Sequence, residues 1–260
     1  MALMRRRLPS GEEITLVDPG ETALLYREVF NDRTYLRPGF PPSAPGVIVD
    51  VGANIGLASL LFKQCFPEAR IIAVEPAPET YLALRENFAR HIPDGVTHNL
   101  AVTGEDGVAH FGYYPKAPAE SGFYTDQDGD SALAAEFLVR TGFPEPEAER
   151  FAKDRHRLTT VECRTVTLST LMAQAGIDHI DLLKIDVEKS ELDVLDGIGD
   201  ADWGRIGHLV LEVHDIDDRL NFVLDLLRRK GFRSEATQDE RLTGTDIHLI
   251  FASRDPGAAI

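Results

Sequence analysis

Short apolar runs alternate with amphipathic segments along this chain, and that alternation narrows the folds open to it. Val47-Ile-Val-Asp-Val51 reads as a buried strand, and residues 55–66 as a helix with Leu57, Leu60, Leu61 and Phe62 mostly on one side. Residues 70–75 read as a second strand, 78–91 as a helix carrying Tyr81, Leu82, Leu84 and Phe88, and 96–102 as a third strand. The pattern resumes near Val161, with strands at 181–186 and 208–213, helices at 189–198 and 217–230, and a closing hairpin at 231–236 and 246–252. Repeated strand–helix units require a mostly parallel sheet covered on both faces by helices. Such sheets bind ligands at the carboxyl ends of their strands.

Two segments stand outside the alternation. Residues 1–45 end in Pro-rich sequence and read as a linker or wrapping arm before a main domain at 46–260. Residues 113–158 interrupt the sheet with helical stretches at 131–140 and 145–156, an insertion long enough to act as a lid. The formal charge of −16, from 27 basic and 43 acidic residues, argues against nucleic-acid binding and against an acidic membrane surface. Cys65 and Cys163 have no metal or redox spacing and read as reduced thiols. The basic start lacks a following apolar run, and no stretch is long enough for a membrane span, so the expectation is a cytoplasmic protein.

The first strand runs into Asp50-Val-Gly52-Ala53-Asn54-Ile-Gly56. The glycines let the backbone turn and let a ligand approach, and the helix that follows presents free N–H groups. The spacing is not the G-x-G-x-x-G of dinucleotide sites. Its leading carboxylate would repel a pyrophosphate but suits a cationic amino-acid portion, which points to S-adenosylmethionine. Glu75, before Pro76 and twenty-five residues after Asp50, ends the second strand, where an acid accepts ribose hydroxyls. Asn99 to Ala101 end the third strand, where an adenine would lie.

The fourth strand ends in Leu183-Lys-Ile-Asp-Val-Glu188, and Lys184, Asp186 and Glu188 share a side if the strand stays extended. The next strand ends in Glu212-Val-His214-Asp215. Converging carboxylates need cations, which a sulfonium, Lys184 or a metal can supply. Asp186, Glu188, Glu212 and His214 suit a divalent ion, although nothing in the sequence requires one. His214 is the natural general base for a hydroxyl acceptor, oriented by Glu212 or Asp186.

Residues 46–252 resemble the FkbM family of S-adenosylmethionine-dependent methyltransferases. The resemblance rests on 47–56, Ala-Val-Glu-Pro at 73–76, Asn99-Leu-Ala-Val, Arg164-Thr-Val-Thr-Leu and, above all, Leu183 to Glu188 with Glu191 and Leu195-Asp-Gly197. Lys189 departs from the glycine usual in the family after the glutamate. Val210 to Asp215, Phe111-Gly-Tyr-Tyr-Pro115 and Ser121-Gly-Phe-Tyr are similar to members found in polyketide and nonribosomal peptide pathways.

The resemblance implies a Rossmann-like class I methyltransferase fold, with a seven-stranded sheet, a closing antiparallel hairpin and a helical lid. It also implies O-methylation of a natural-product hydroxyl. Asp50, Gly52, Ala53, Asn54, Gly56, Glu75 and Pro76 would bind the cofactor, with Asn99 and Ala101 at the adenine. Asp186 would sit at the reacting centre with His214 and Glu212, and Tyr113, Tyr114, Ser121 and Glu188 would meet the acceptor. A sugar hydroxyl, carboxylate or amine acceptor stays open, as do a non-catalytic cofactor-binding subunit and a nicotinamide oxidoreductase. So do the acceptor's identity, its tethering to a carrier protein, and the oligomeric state.

Overall fold

The computed structural model describes residues 3–41, 43–140, 142–238, 244–255 and 257–258. Met1, Ala2 and Pro42 of the arm and Thr141 of the insertion lie outside these described residues. The arm is structured. Strands β1 (Met4–Arg7) and β2 (Glu13–Leu16) pair antiparallel. Helix α1 (Pro19–Tyr26) follows, its first turn capped by the Asp18 side chain accepting the Glu21 amide, and one π-helical turn (Arg27–Asn31) extends it. Ile14, Leu16, Val29, Tyr35 and Phe40 are buried against the sheet and the helix that follows it, so this segment wraps the body rather than linking to it.

The sheet comes from β3 (Val47–Val51), α2 (Leu57–Cys65), β4 (Arg70–Val74), α3 (Pro78–His91) and β5 (Val96–His98). The third strand expected over 96–102 is broken. Asn99 turns its amide onto the Glu75 and Pro76 carbonyls, and β6 (Ala101–Val102) leaves for a second sheet. That sheet has the order β6-β8-β7, from β7 (Gly107–Tyr113) and β8 (Thr159–Val166). Between them lie α4 (Gln127–Arg140) and α5 (Glu145–Arg155), so the insertion hangs from a hairpin-like pair of strands.

Helix α6 (Leu168–Ala175), β9 (Ile180–Ile185), α7 (Glu191–Asp196), α8 (Asp200–Trp203), β10 (Ile206–His214), α9 (Arg219–Arg229), β11 (Arg233–Thr237) and β12 (Ile247–Ser253) complete the chain. The main sheet has the order β11-β12-β10-β9-β3-β4-β5, with β12 antiparallel to both neighbours and the strands from β10 to β5 parallel. This is the seven-stranded, mostly parallel sheet with a closing antiparallel pair that the sequence implied.

Alternation along the strands divides the core. Ile48, Ile71, Leu182 and Val210 pack on the side of α2, α3 and the arm. Val49, Ile72, Leu183 and Leu209 pack on the side of α6 and α9. The same parity assigns Asp50, Lys184 and Glu212 to the arm's side, so the arm covers the polar strand ends. Cys65 and Cys163 are unpaired thiols. Among the described residues no helix is long and apolar enough to cross a membrane.

Candidate active site

The turn after β3 is set by one backbone crossing. Gly52 has φ +75°, and a Cβ there would lie 1.7 Å from the Asp186 carbonyl oxygen, so only glycine lets the ends of β3 and β9 pass this closely. The Gly52 and Ala53 amides both donate to the Val74 carbonyl, which ties the turn to β4. Glu75 follows β4. Its Oε2 accepts the Asn54 amide and its Oε1 the Ala77 amide, each at 2.9 Å. Burial pushes its pKa up to about 7, against the lowering effect of those two amides. Each carboxylate oxygen keeps a lone pair for a further donor.

Beneath the turn, sheet register places Asp50 beside Lys184. Lys184 Nζ lies 3.1 Å from Asp50 Oδ1 and 3.4 Å from Asp186 Oδ2, and donates to the Gly52 carbonyl at 2.7 Å. Ser59 Oγ donates to Asp50 Oδ2 at 2.6 Å. Burial works against the Lys184 charge, but Asp50 and Asp186 outweigh it and raise its pKa. Asp50 is fully buried and is not on the cavity wall, so its place is under the turn, not against a cofactor's cationic end. Ala53, Gly56 and Asn99 likewise support the turn and the Glu75 segment without lining the cavity.

A cavity of about 900 Å³ opens at these strand ends. Gly52, Asn54, Glu75, Pro76 and Ala101 line it. Asp186, Glu188 and Glu212 also line it, as do Tyr35 and Leu36 of the arm, Phe123 and Phe137 of the insertion and Phe251 of β12. Tyr35 donates its hydroxyl to Asp186 Oδ2 at 2.8 Å. Burial and the nearby carboxylates hold the Tyr35 phenol well above its usual range, so it stays a donor. Burial, together with Asp186 and Glu188, also raises the Glu212 carboxyl well above normal. Asp186, Glu188 and Glu212 each offer an oxygen within 4.8 Å of the others, a donor set that fits a divalent ion.

Three expectations change here. The first concerns Glu188. Strand β9 ends at Ile185, and Glu188 and Lys189 have φ of +47° and +70°, so Glu188 reaches the cavity from a tight turn rather than from an extended strand.

The second concerns His214. Its Nδ1 lies 2.8 Å from Glu191 Oε1 and its Nε2 3.4 Å from Glu188 Oε2, so its partners are Glu191 and Glu188 rather than Glu212 or Asp186. Burial disfavours its charge, but these two acids push its pKa up to about 11. His214 stands behind Glu188, off the cavity wall, held between two acids that favour its charged form over that of a free base. Glu191 is fully buried and also takes Arg219 Nη1 at 2.6 Å.

The third concerns the insertion. Tyr113 is buried with its hydroxyl 3.2 Å from Glu79, and Tyr114 is buried with its hydroxyl 2.8 Å from Asp130. Both anchor the insertion instead of standing at the mouth of the site. Ser121 does line the cavity, although its Oγ also accepts the Tyr114 amide.

Sequence reasoning missed Tyr35 and the partnership of Glu191 with His214. Tyr35 lies 151 residues from Asp186, with no local pattern to join them. Glu191 stood within the motif beside Glu188, but its burial depends on packing.

The sheet order and the glycine-turn and acid pair define the class as a Rossmann-like methyltransferase. The model of the FkbM methyltransferase domain matches residues 50–234, and the chain belongs to that family of S-adenosylmethionine-dependent methyltransferases. It is 42% identical over 252 residues to the 31-O-demethyl-FK506 methyltransferase FkbM of Streptomyces tacrolimicus, covering 96% of this chain and 97% of that protein. It is 36% identical over 267 residues to the AMB antimetabolite synthetase AmbE of Pseudomonas aeruginosa, covering 97% of this chain and 12% of that protein. Among solved structures, the methyltransferase FkbM of Methylobacillus flagellatus shares the fold, with a TM-score of 0.52 at 15% identity over 87% of this chain and 47% of that one.

The residues present fit S-adenosylmethionine. A buried carboxylate with lone pairs to spare at Glu75, on the wall of a cavity at the strand ends, meets the needs of a nucleoside with a ribose diol.

Proposed function

We propose that this chain methylates a hydroxyl of a small natural product, of polyketide or nonribosomal peptide type. The observation that carries the reading is that Glu75 and Asp186, at the ends of β4 and β9, open into one cavity with partly apolar walls. The names of the relatives support it: one is a 31-O-demethyl-FK506 methyltransferase, and the other is an antimetabolite synthetase of which the matched part is 12%. A carrier-bound intermediate is one form the acceptor takes in this reading.

In this reading Gly52, Asn54, Glu75, Pro76 and Ala101 hold the cofactor, which when bound supplies an electrophilic methyl group. Asp186, fixed through Oδ2 by Tyr35 and Lys184, accepts a hydrogen bond from the acceptor hydroxyl and aligns it. The hydroxyl proton passes to the carboxylates of the cavity wall. Glu188 can receive it because burial raises its pKa against the lowering effect of the His214 pair. A carboxylate acceptor is disfavoured, since Asp186 and its neighbouring acids already crowd negative charge onto this wall, as the raised Glu212 carboxyl shows. Tyr35, Leu36, Phe123 and Phe251 suit an apolar scaffold bearing that hydroxyl.

The test is calorimetric titration with S-adenosylhomocysteine, followed by mass-spectrometric assay of methyl transfer from S-adenosylmethionine to 31-O-demethyl-FK506 and to a panel of hydroxylated polyketides and peptides. Binding together with transfer to a hydroxyl supports the reading. Binding without transfer to any hydroxyl, but with transfer to an amine, would overturn it.

A further inference from the structure

Glu188 and Lys189 occupy consecutive left-handed backbone positions, at φ +47° and +70°. Side chains other than glycine rarely adopt this conformation, and two in succession carry strain. The turn they form delivers Glu188 to the cavity. It is braced on one side by backbone contacts: Arg219 Nη1 donates to the Lys189 carbonyl at 2.7 Å, and the Lys189 amide donates to Glu191 Oε1 at 3.0 Å. A glycine at 189 would keep both of these. What the lysine adds is its ammonium group, which lies 2.8 Å from Asp130 Oδ1 in the first turn of α4. The pair is largely shielded, with side-chain exposures of 23% and 12%. The other Asp130 oxygen accepts the Tyr114 hydroxyl at 2.8 Å and the Asp126 amide at 3.1 Å, so Asp130 is itself fixed to the base of the insertion. The insertion meets the same turn at a second point. Gly122 lies so close to it that a Cβ there would sit 2.7 Å from the Glu188 carbonyl oxygen.

We propose that Lys189 is a positioning residue: its ion pair with Asp130 clamps the inserted helices onto the turn that carries Glu188. Through this clamp Phe123 and Phe137 of the insertion and the Glu188 carboxylate, which line the same cavity, keep a fixed relation. A strained backbone is tolerated at 189 because only a long cation there spans to α4. The inference stands on the cavity and the turn, and is independent of the acceptor's identity.

Hydrogen exchange of the whole protein tests it, together with thermal denaturation. Lys189→Met removes the charge and keeps the strained backbone, whereas Lys189→Gly removes both. Both variants are expected to speed amide exchange over 127–155 by about tenfold, the scale of a lost charge-assisted hydrogen bond, while the central strands exchange as in the wild type. Lys189→Gly should also melt at a higher temperature than Lys189→Met, because glycine accepts a positive φ. Lys189→Arg should restore slow exchange. Asp130→Asn should act like Lys189→Met, and the double variant should be no worse than either single one. Unchanged exchange over 127–155 in both lysine variants would overturn the proposal. So would a uniform rise in exchange across the sheet, or additive effects in the double variant.

Discussion

The protonation of Glu75 gives the sharpest test of the cofactor assignment. Its ordinary pKa near 4.5 rises to about 7 in the folded protein, because burial outweighs the two amides that the carboxylate accepts. A ribose diol donates to the ionised form, so cofactor affinity should follow the ionised fraction. With a pKa of about 7, roughly one site in ten is ionised at pH 6 and nine in ten at pH 8. The apparent dissociation constant for S-adenosylhomocysteine should therefore fall by about tenfold from pH 6 to pH 8, about 1.4 kcal/mol.

The same shift has a stability sign. A carboxyl raised from 4.5 to about 7 contributes stability below its unfolded value, and that contribution is lost as pH rises through about 7 in the unliganded protein. Isothermal titration at pH 6, 7 and 8 measures the slope. Glu75→Gln, neutral at every pH, should weaken binding at pH 8 by about tenfold or more and abolish the slope. A wild-type affinity constant across that range, or a slope that survives in Glu75→Gln, would refute the reasoning.

Other variants probe the remaining contacts. Tyr35→Phe removes a 2.8 Å hydrogen bond to Asp186 and should cost about 1.5–3 kcal/mol in urea denaturation; a negligible loss would mean that Lys184 alone holds Asp186. Gly52→Ala places a Cβ 1.7 Å from the Asp186 carbonyl at a φ of +75°, so it should cost about 3 kcal/mol or more and abolish S-adenosylhomocysteine binding by calorimetry. His214, raised from 6.5 to about 11, contributes stability in full below about pH 6.5 and loses it as pH rises toward 11. The gap in melting temperature between wild type and His214→Gln should accordingly be widest near pH 6 and narrow by about pH 10, and a gap that widens with pH would contradict the ion-pair geometry.

Much of the fold was readable from local pattern. Apolar runs such as Val47 to Val51 and the helical spacing of Leu220, Val223, Leu224 and Leu227 report burial directly, because period follows from backbone geometry. The break at Asn99 was not readable, since Val96 to Val102 is continuously strand-like and only the side chain's bonds to Glu75 and Pro76 carbonyls turn it. Strand β7 was also hidden, because exposed Val108 breaks the apolar/polar alternation at its start, whereas β8 showed only as the pattern resuming near Val161.

By itself, the sequence determined the alternation of strands and helices that builds the main sheet, the family, and which strand ends carry acids. Those properties belong to neighbours along the chain or to motifs a few residues long. Tertiary structure alone decided how the acids are used. Asp50 and Asp186 differ in access because Lys184 and Ser59 meet the first below the turn, while Tyr35 delivers the second to the cavity. His214 favours its charged form over that of a free base because Glu188 and Glu191 flank it. Charge state depends on burial and on groups within a few ångströms, and the chain brings those groups from distances of 9 to 151 residues.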